Sequence, residues 1–181
     1  MEKLTVNCTM PDFSCVTPFA SPLSLDDLVN RVPGKTALVF LRYYGCPICQ
    51  LDLREYAEYY EKIRATGGQL LVVLQSDPKL LAETITPETF PFDILCDPQM
   101  ALYQQLSIEP AASMLKMMSL SVVKKVIRSA KMGFKHGQYE GNEQQLPAAF
   151  ILDRTRKILF AHYGKDAADV PTAEALAELM K

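Results

Sequence analysis

A chain of 181 residues, 49% hydrophobic and 22% charged, has ordinary globular composition and enough material for a sizeable core, which excludes a disordered or low-complexity chain. A net charge of −2 provides no global field for nucleic acid, and no apolar run approaches the roughly 18 residues needed to span a bilayer, so neither nucleic acid nor membrane is an expected partner. The start, Met1-Glu2-Lys3-Leu4-Thr5, lacks the basic and apolar regions of a secretory signal, and five scattered cysteines do not make a disulfide framework. A reducing cytoplasmic setting is expected, with any disulfide transient.

Met10-Pro11-Asp12-Phe13 leads into Ser14 to Val16, read as a short strand of an N-terminal hairpin. Ser24-Leu25-Asp26-Asp27 has the form of a capped helical turn, with Ser24 as N-cap and Asp27 three residues on, and Pro33-Gly34 breaks it. Thr36 to Tyr43 is the first central strand, its run from Ala37 to Leu41 apolar throughout. From Pro47 to about Arg64 the apolar positions Cys49, Leu53, Tyr56, Tyr60 and Ile63 recur at helical spacing, and Gly67-Gly68 ends the helix. Gln69 to Leu74 reads as a strand of a parallel sheet covered on both faces. Ser76 is the expected cap of a short helix with Pro78 in its first turn; Pro91 to Cys96 is a further strand, and Asp97-Pro98 opens a helix over 99–106.

Residues 111–131 form a long helical pattern in which Lys124, Arg128, Lys131 and Lys135 recur every three or four residues. That basic side reads as a solvated face, the rival readings being an acidic partner or a membrane surface. Met114, Met117 and Met118 read as fillers of core or pocket gaps. Phe134 to Gln145 is polar and glycine-containing, hence a loop; Ala148 to Leu152 and Lys157 to His162 pair as a hairpin; a helix capped by Thr172 closes the chain. The organisation expected is one domain over 1–181: an N-terminal extension (1–34), a βαβ unit with the cysteine pair (35–75), an inserted amphipathic helix (111–135), and a hairpin with a C-terminal helix (146–181). The fold class is α/β, a sandwich whose mixed sheet is parallel in its first half and antiparallel in its second.

The stretch Phe40-Leu41-Arg42-Tyr43-Tyr44-Gly45-Cys46-Pro47-Ile48-Cys49 carries the chemistry. A strand feeding a Cys-x-x-Cys turn at a helix N-terminus exposes N–H groups and the positive end of the helix dipole to a thiol, which favours the thiolate. Proline at the first helical position costs nothing, since its missing N–H would have been an orphan. Asp52 and Glu55, a turn further on, oppose the effect; Cys46 is still expected to have a lowered pKa. Two other readings stay open beside redox chemistry: half of a structural zinc site, although Cys8, Cys15 and Cys96 make no second pair and only His136 and His162 could add imidazoles, and two inert buried thiols. Arg42 is a candidate thiolate stabiliser and Tyr44 a candidate wall of the site; Cys96 reads as an inert buried thiol, and His162 as structural with no evident carboxylate partner.

Five segments in order resemble the thioredoxin superfamily, and within it the peroxiredoxin-like branch of the alkyl hydroperoxide reductase/thiol-specific antioxidant group. They are Pro11-Asp12-Phe13 with Leu25-Asp26-Asp27-Leu28, the run from Phe40 to Cys49, Leu95-Cys96-Asp97-Pro98 with Leu102-Tyr103, Gln145-Leu146-Pro147, and Phe150-Ile151-Leu152-Asp153. The resemblance implies a thioredoxin-like sandwich in which Cys46 is the attacking thiol and Cys49 its resolving partner. It also implies a cis Pro147 facing the cysteines and presenting the backbone of Leu146 to an extended substrate, the alternative being an ordinary trans turn proline. The peroxidase pattern Pro-x-x-x-Thr-x-x-Cys is not met: ending it at Cys46 puts Tyr43 at the threonine, and ending it at Cys49 puts Cys46 there. The function implied is a thiol–disulfide oxidoreductase without metal or organic cofactor, acting on a disulfide or peroxide and recharged by a thioredoxin-type or low-molecular-weight thiol reductant. A homodimer is among the assemblies this allows. The alternatives are a thiol peroxidase acting on hydrogen, alkyl or lipid peroxides, and a non-catalytic module that binds a partner through the basic helix.

Overall fold

The computed structural model describes residues 2–20 and 22–181. Its centre is a five-stranded sheet built from β3 (Thr36–Phe40), β4 (Gln69–Leu74), β5 (Asp93–Cys96), β6 (Ala148–Leu152) and β7 (Ile158–Tyr163), in the order β5-β4-β3-β6-β7. β3, β4 and β5 run parallel, while β6 lies antiparallel to β3 and β7 antiparallel to β6, so the sheet is mixed in the sense expected. A separate two-stranded hairpin, β1 (Ser14–Cys15) with β2 (Leu23–Ser24), precedes it.

Strand periodicity sorts the apolar residues into two cores, because neighbouring side chains point to opposite faces. Ala37, Val39 and Leu41 share one face with Leu70, Val72 and Leu74, and α2 (Pro47–Arg64) and α7 (Ala173–Leu179) cover it. Leu38 and Phe40 join Leu71, Val73 and Phe150 on the other, covered by α1 (Leu25–Val29), α4 (Ala101–Gln105) and the N-terminal segment. Covering on both sides is why the central strands are uniformly apolar. Tyr103 of α4 is buried and donates its hydroxyl to the carbonyls of Leu41 and, at 3.1 Å, Val73, the chain ends of β3 and β4 that lead to the site. No helix among the described residues is long and apolar enough to cross a membrane.

The capping box at Ser24 and Asp27 forms as read. Elsewhere the boundaries shift for local reasons. Asp77, not Ser76, caps α3 (Pro78–Ala82), accepting from the N–H groups of Lys79 and Leu80, because Ser76 is engaged with residue 140. The pattern over 111–131 is divided into α5 (Met114–Met117) and α6 (Leu120–Lys131). Met118 is extended, and the Ser119 side chain caps a new helix by accepting from Val122 N–H, so the run is broken by an N-cap in its middle. Only Met117 of the three methionines is buried; Met114 and Met118 are exposed.

Candidate active site

The β3 edge turns into α2 over residues 41–46. Leu41 N–H still bonds to Val73 carbonyl (3.0 Å) and Gln75 N–H to Arg42 carbonyl (2.7 Å), which extends the β3–β4 frame to the turn. Cys46 is the N-cap of α2 in an extended conformation, Pro47 follows at the first helical position, and Gln50 N–H bonds to Cys46 carbonyl at 3.0 Å. The turn thus places the Cys46 sulfur where the helix's first N–H groups point. Cys49 lies one turn on, on the buried face of α2.

The two thiols are electrostatically unequal. The Cys49 thiol hydrogen-bonds the Cys46 sulfur, the Arg42 guanidinium lies 2.9 Å from it (Nη2 to Sγ), and backbone N–H groups of Cys49 and Ile48 add to the field. These, the Cys49 bond foremost, outweigh burial and lower Cys46 to about 6. Burial, then the same hydrogen bond and the neighbouring thiolate, push Cys49 well above the ordinary thiol range. Both cysteines are free thiols. Arg42 also donates to Glu143 carbonyl at 2.8 Å, which fixes its guanidinium over the sulfur.

The two acids of α2 that oppose a thiolate are each answered from α6. Lys125 Nζ lies 2.6 Å from Asp52 Oδ1, and Arg128 Nη1 lies 2.6 Å from Glu55 Oε1. Burial nevertheless pushes Asp52 up to about 6 against the pull of Lys125. The pairing was legible in principle: Asp52 and Glu55 are three apart, and so are Lys125 and Arg128, which puts each pair on one helical face.

Segment 134–145, read from sequence only as a loop, covers the cysteines. Gly137 N–H bonds to Gly45 carbonyl at 2.8 Å, and a Cβ on Gly45 would fall 2.3 Å from the carbonyl oxygen of Gln138, so only glycine permits this approach. His136 Nε2 is 3.0 Å from the Tyr43 hydroxyl and its ring stacks on Tyr139. Burial, together with the Glu143 carboxylate beside it, raises Tyr43 far above the ordinary phenol value. The Glu140 carboxylate accepts from Ser76 hydroxyl (2.7 Å) and Asp77 N–H (3.0 Å), and Asn142 N–H bonds to Gln75 Oε1 at 2.6 Å. Under this cover Cys46 has no exposed surface. A cleft of about 400 Å³ opens beside it, lined by Tyr44, Gly45, Gln50, Leu81, Gly137 and Glu140.

Cys46, Cys49 and Arg42 therefore come together, and Tyr44 walls the adjoining cleft. Leu146 packs against the core that contains both cysteines. The Leu146–Pro147 bond differs from expectation: it is trans, as no cis peptide occurs among the described residues. Gln145 bridges Pro110 on one side, and Pro147 carbonyl accepts from Gly164 N–H at 2.8 Å on the other. The chain is thus extended through the proline into β6, the path a trans bond gives, and proline is tolerated just ahead of a strand. His162, read as lacking a carboxylate, has Asp169 Oδ1 at 2.9 Å from its Nε2. Cys96 is buried and desolvation pushes it up to about 12. His136, Gly137 and Glu143 were missed because their contacts join residues about 90 to 100 positions apart, a relation no local pattern encodes. Among the described residues no group of three His, Cys, Asp or Glu side chains is placed to hold a metal ion.

Similar solved structures include peroxidoxin BcpB from Mycobacterium tuberculosis (12% identity, covering 98% of this chain and 94% of that one, TM-score 0.67). Another is a putative thiol:disulfide interchange protein DsbE from Chlorobium tepidum (16%, 98% and 96%, TM-score 0.60), and a third a yeast mitochondrial 1-Cys peroxiredoxin (13%, 96% and 73%, TM-score 0.64). At such identities they establish the thioredoxin-like peroxiredoxin fold. No curated protein sequence matches the chain. The family model described as AhpC/TSA antioxidant enzyme matches residues 55–166, from within α2 through β7. A match over more than half of the chain, joined to that sheet order, settles the family: the chain belongs to the AhpC/TSA antioxidant enzymes.

Proposed function

We propose that this redox enzyme is a thiol–disulfide oxidoreductase that cycles Cys46 and Cys49 between dithiol and disulfide. The observation that carries the reading is the asymmetry of the pair: Cys46, lowered to about 6 beside Arg42, is ionised at neutral pH, while Cys49 is held as a thiol. The Cys46 thiolate attacks one sulfur of a substrate disulfide, whose S–S bond breaks, and the second sulfur leaves as a thiolate. Cys49 then gives its proton to that departing thiolate and attacks Cys46 of the mixed disulfide. The Cys46–Cys49 bond forms, the bond from Cys46 to the substrate breaks, the second substrate sulfur leaves as a thiolate, and the substrate has gained the two electrons the pair has lost. A thiol reductant of thioredoxin or low-molecular-weight type reverses the exchange, in keeping with the yeast mitochondrial 1-Cys peroxiredoxin, whose thiol is resolved via glutathione/thioredoxin systems. No metal or organic cofactor takes part in these steps. Tyr44 and Leu146 would flank the substrate from the cleft side and the core side, while Pro147, being trans, leads the chain into β6. Attack needs segment 134–145 to shift, since Cys46 has no exposed surface beneath it. Five free cysteines fit a reducing cytoplasm.

The second reading is a thiol peroxidase, favoured by the family's description as antioxidant enzymes. There the thiolate attacks a peroxide oxygen, the O–O bond breaks, and the alkoxide or hydroxide leaves with a proton. The resulting Cys46 sulfenic acid condenses with Cys49, releasing water. Peptide-mapped alkylation after brief exposure to near-stoichiometric hydrogen peroxide or to a small disulfide separates the two. Fast formation of the Cys46–Cys49 bond with the disulfide and slow formation with peroxide is the result expected. Fast formation with peroxide makes it a peroxidase, and no bond under either oxidant refutes the redox site.

A further inference from the structure

Helix α6 turns Val122, Lys125 and Ser129 toward the protein. Lys125 and Arg128 reach back to Asp52 and Glu55, and Ser129 is buried beside Val122. Its exposed surface carries an apolar ridge beside the lysines: Leu120, Val123 and Ile127 recur at helical spacing, Leu120 being 80% exposed, and α5 adds Leu115 at 83%. Of the fourteen large hydrophobic side chains that are exposed among the described residues, eight fall between Met114 and Met132. Scattered exposed leucines need no explanation, but a concentration of this kind on one segment marks an interaction surface.

Charge decides what covers it. The thirty residues 110–139 contain no Asp or Glu in a chain whose net charge is −2. With Lys125 and Arg128 engaged by α2, Lys116, Lys124, Lys131 and Lys135 are left exposed, with no ion pair among the described residues. Lys124 and Lys131 follow Val123 and lie four beyond Ile127, so they border the apolar ridge on one flank. A second copy on this face would set four cations against four. A protein partner would need a groove matched to a convex ridge. A lipid surface accepts a ridge of any detailed shape, and its anionic headgroups answer the lysines.

We propose that α5–α6 docks on an anionic lipid surface, with Leu115, Leu120, Val123 and Ile127 at the acyl boundary and the four lysines at the phosphates. α6, at about 18 Å for its twelve residues, lies on the bilayer and does not span it. This arrangement takes up the membrane surface, one of the rival readings of the basic helix. It does not rest on the chemistry of Cys46.

The test is flotation of the full, reduced protein with vesicles of phosphatidylcholine alone and of phosphatidylcholine containing phosphatidylglycerol. The protein rises with the anionic vesicles only, and less as salt shortens the screening length below about 10 Å. Each lysine near the surface is worth about fivefold in binding, so Lys124→Glu with Lys131→Glu weakens it by at least about 25-fold. Leu120→Gln with Ile127→Gln abolishes it, while both variants keep the native melting temperature and Cys46 alkylation rate. Flotation with neither vesicle, or equally with both, overturns the proposal. So does a native dimer in light scattering that the Leu120→Gln/Ile127→Gln variant dissolves, which would make a second copy the occupant.

Discussion

Replacing Arg42 by methionine removes the formal positive charge in contact with the Cys46 sulfur while keeping an unbranched apolar stem. An opposite charge at such a distance moves a thiol by about 1–3 pH units. The hydrogen bond from Cys49, the larger influence, survives the change, so the lower part of that range applies. Cys46 titrates at about 6 in the native protein. At pH 5.5 about a quarter of it is thiolate; a rise of one unit leaves about 3%, an eightfold slower alkylation, and a rise of two units about 75-fold. At pH 8 one unit changes almost nothing, so the loss is confined to the acid side. The assay is stopped-flow or mass-resolved alkylation of Cys46 from pH 4.5 to 9, read as the midpoint of the rate profile. Arg42→Met also loses the bond to Glu143 carbonyl and loosens the covering segment, which scales every rate by one factor and leaves the midpoint untouched. Repeating the profile with His136→Asn keeps the cover's own imidazole out of the reading. A native midpoint above about 8, where an ordinary thiol lies, or coincident profiles for native protein and Arg42→Met, refutes the argument.

Three further outcomes follow from the same geometry. Gly45→Ala puts a methyl 2.3 Å from Gln138 carbonyl, so it lifts segment 134–145 off the turn; Cys46 alkylation accelerates and limited proteolysis cuts between residues 134 and 145. Lys125→Met strands the buried Asp52 carboxylate and destabilises by about 3 kcal/mol at neutral pH, as judged by chemical denaturation, while Asp52→Leu with Lys125→Met recovers most of it. Because burial raises Asp52 above its unfolded value, its penalty is felt as pH rises through about 6 and vanishes as the group is protonated; the deficit of Lys125→Met therefore shrinks between pH 7 and pH 5. Cys96→Ala leaves both oxidant assays unchanged, since that thiol, pushed up to about 12, is alkylated only on unfolding.

The scaffold was readable because it follows local rules. β4 begins and ends where its apolar run does, α2 runs from Pro47 to Arg64 as its spacing requires, and the Ser24 capping box forms from four consecutive residues. The half of the site built by the β3–α2 turn was readable for the same reason: Arg42, Cys46 and Cys49 are neighbours in sequence. What failed was non-local. Pro147 is trans, in a stretch bridged to residue 110 on one side and 164 on the other, and the cover over Cys46 depends on Gly45 meeting Gly137. The basic face over Lys124, Arg128, Lys131 and Lys135 is exposed as read; what the amphipathic pattern could not show is that Lys125, beside it, turns inward to Asp52 some seventy residues away.

The contact between α6 and α2 also bears on how far family and site support one another. The matched residues 55–166 begin beyond both cysteines and include α6, the covering segment and the hairpin. Family membership therefore rests on the scaffold and owes nothing to the Cys-x-x-Cys turn, whereas the redox reading rests on a lowered thiol beside Arg42 and owes nothing to the family. The two meet in α2, where Glu55 lies inside the matched span and Asp52 just ahead of it. The Asp52 charge raises the Cys49 thiol, and Lys125 offsets that charge. Lys125 thus ties α6 to α2 and offsets an acid that acts on Cys49, so Lys125→Met is expected to loosen α6 and to raise the Cys49 thiol further, as read by its alkylation profile.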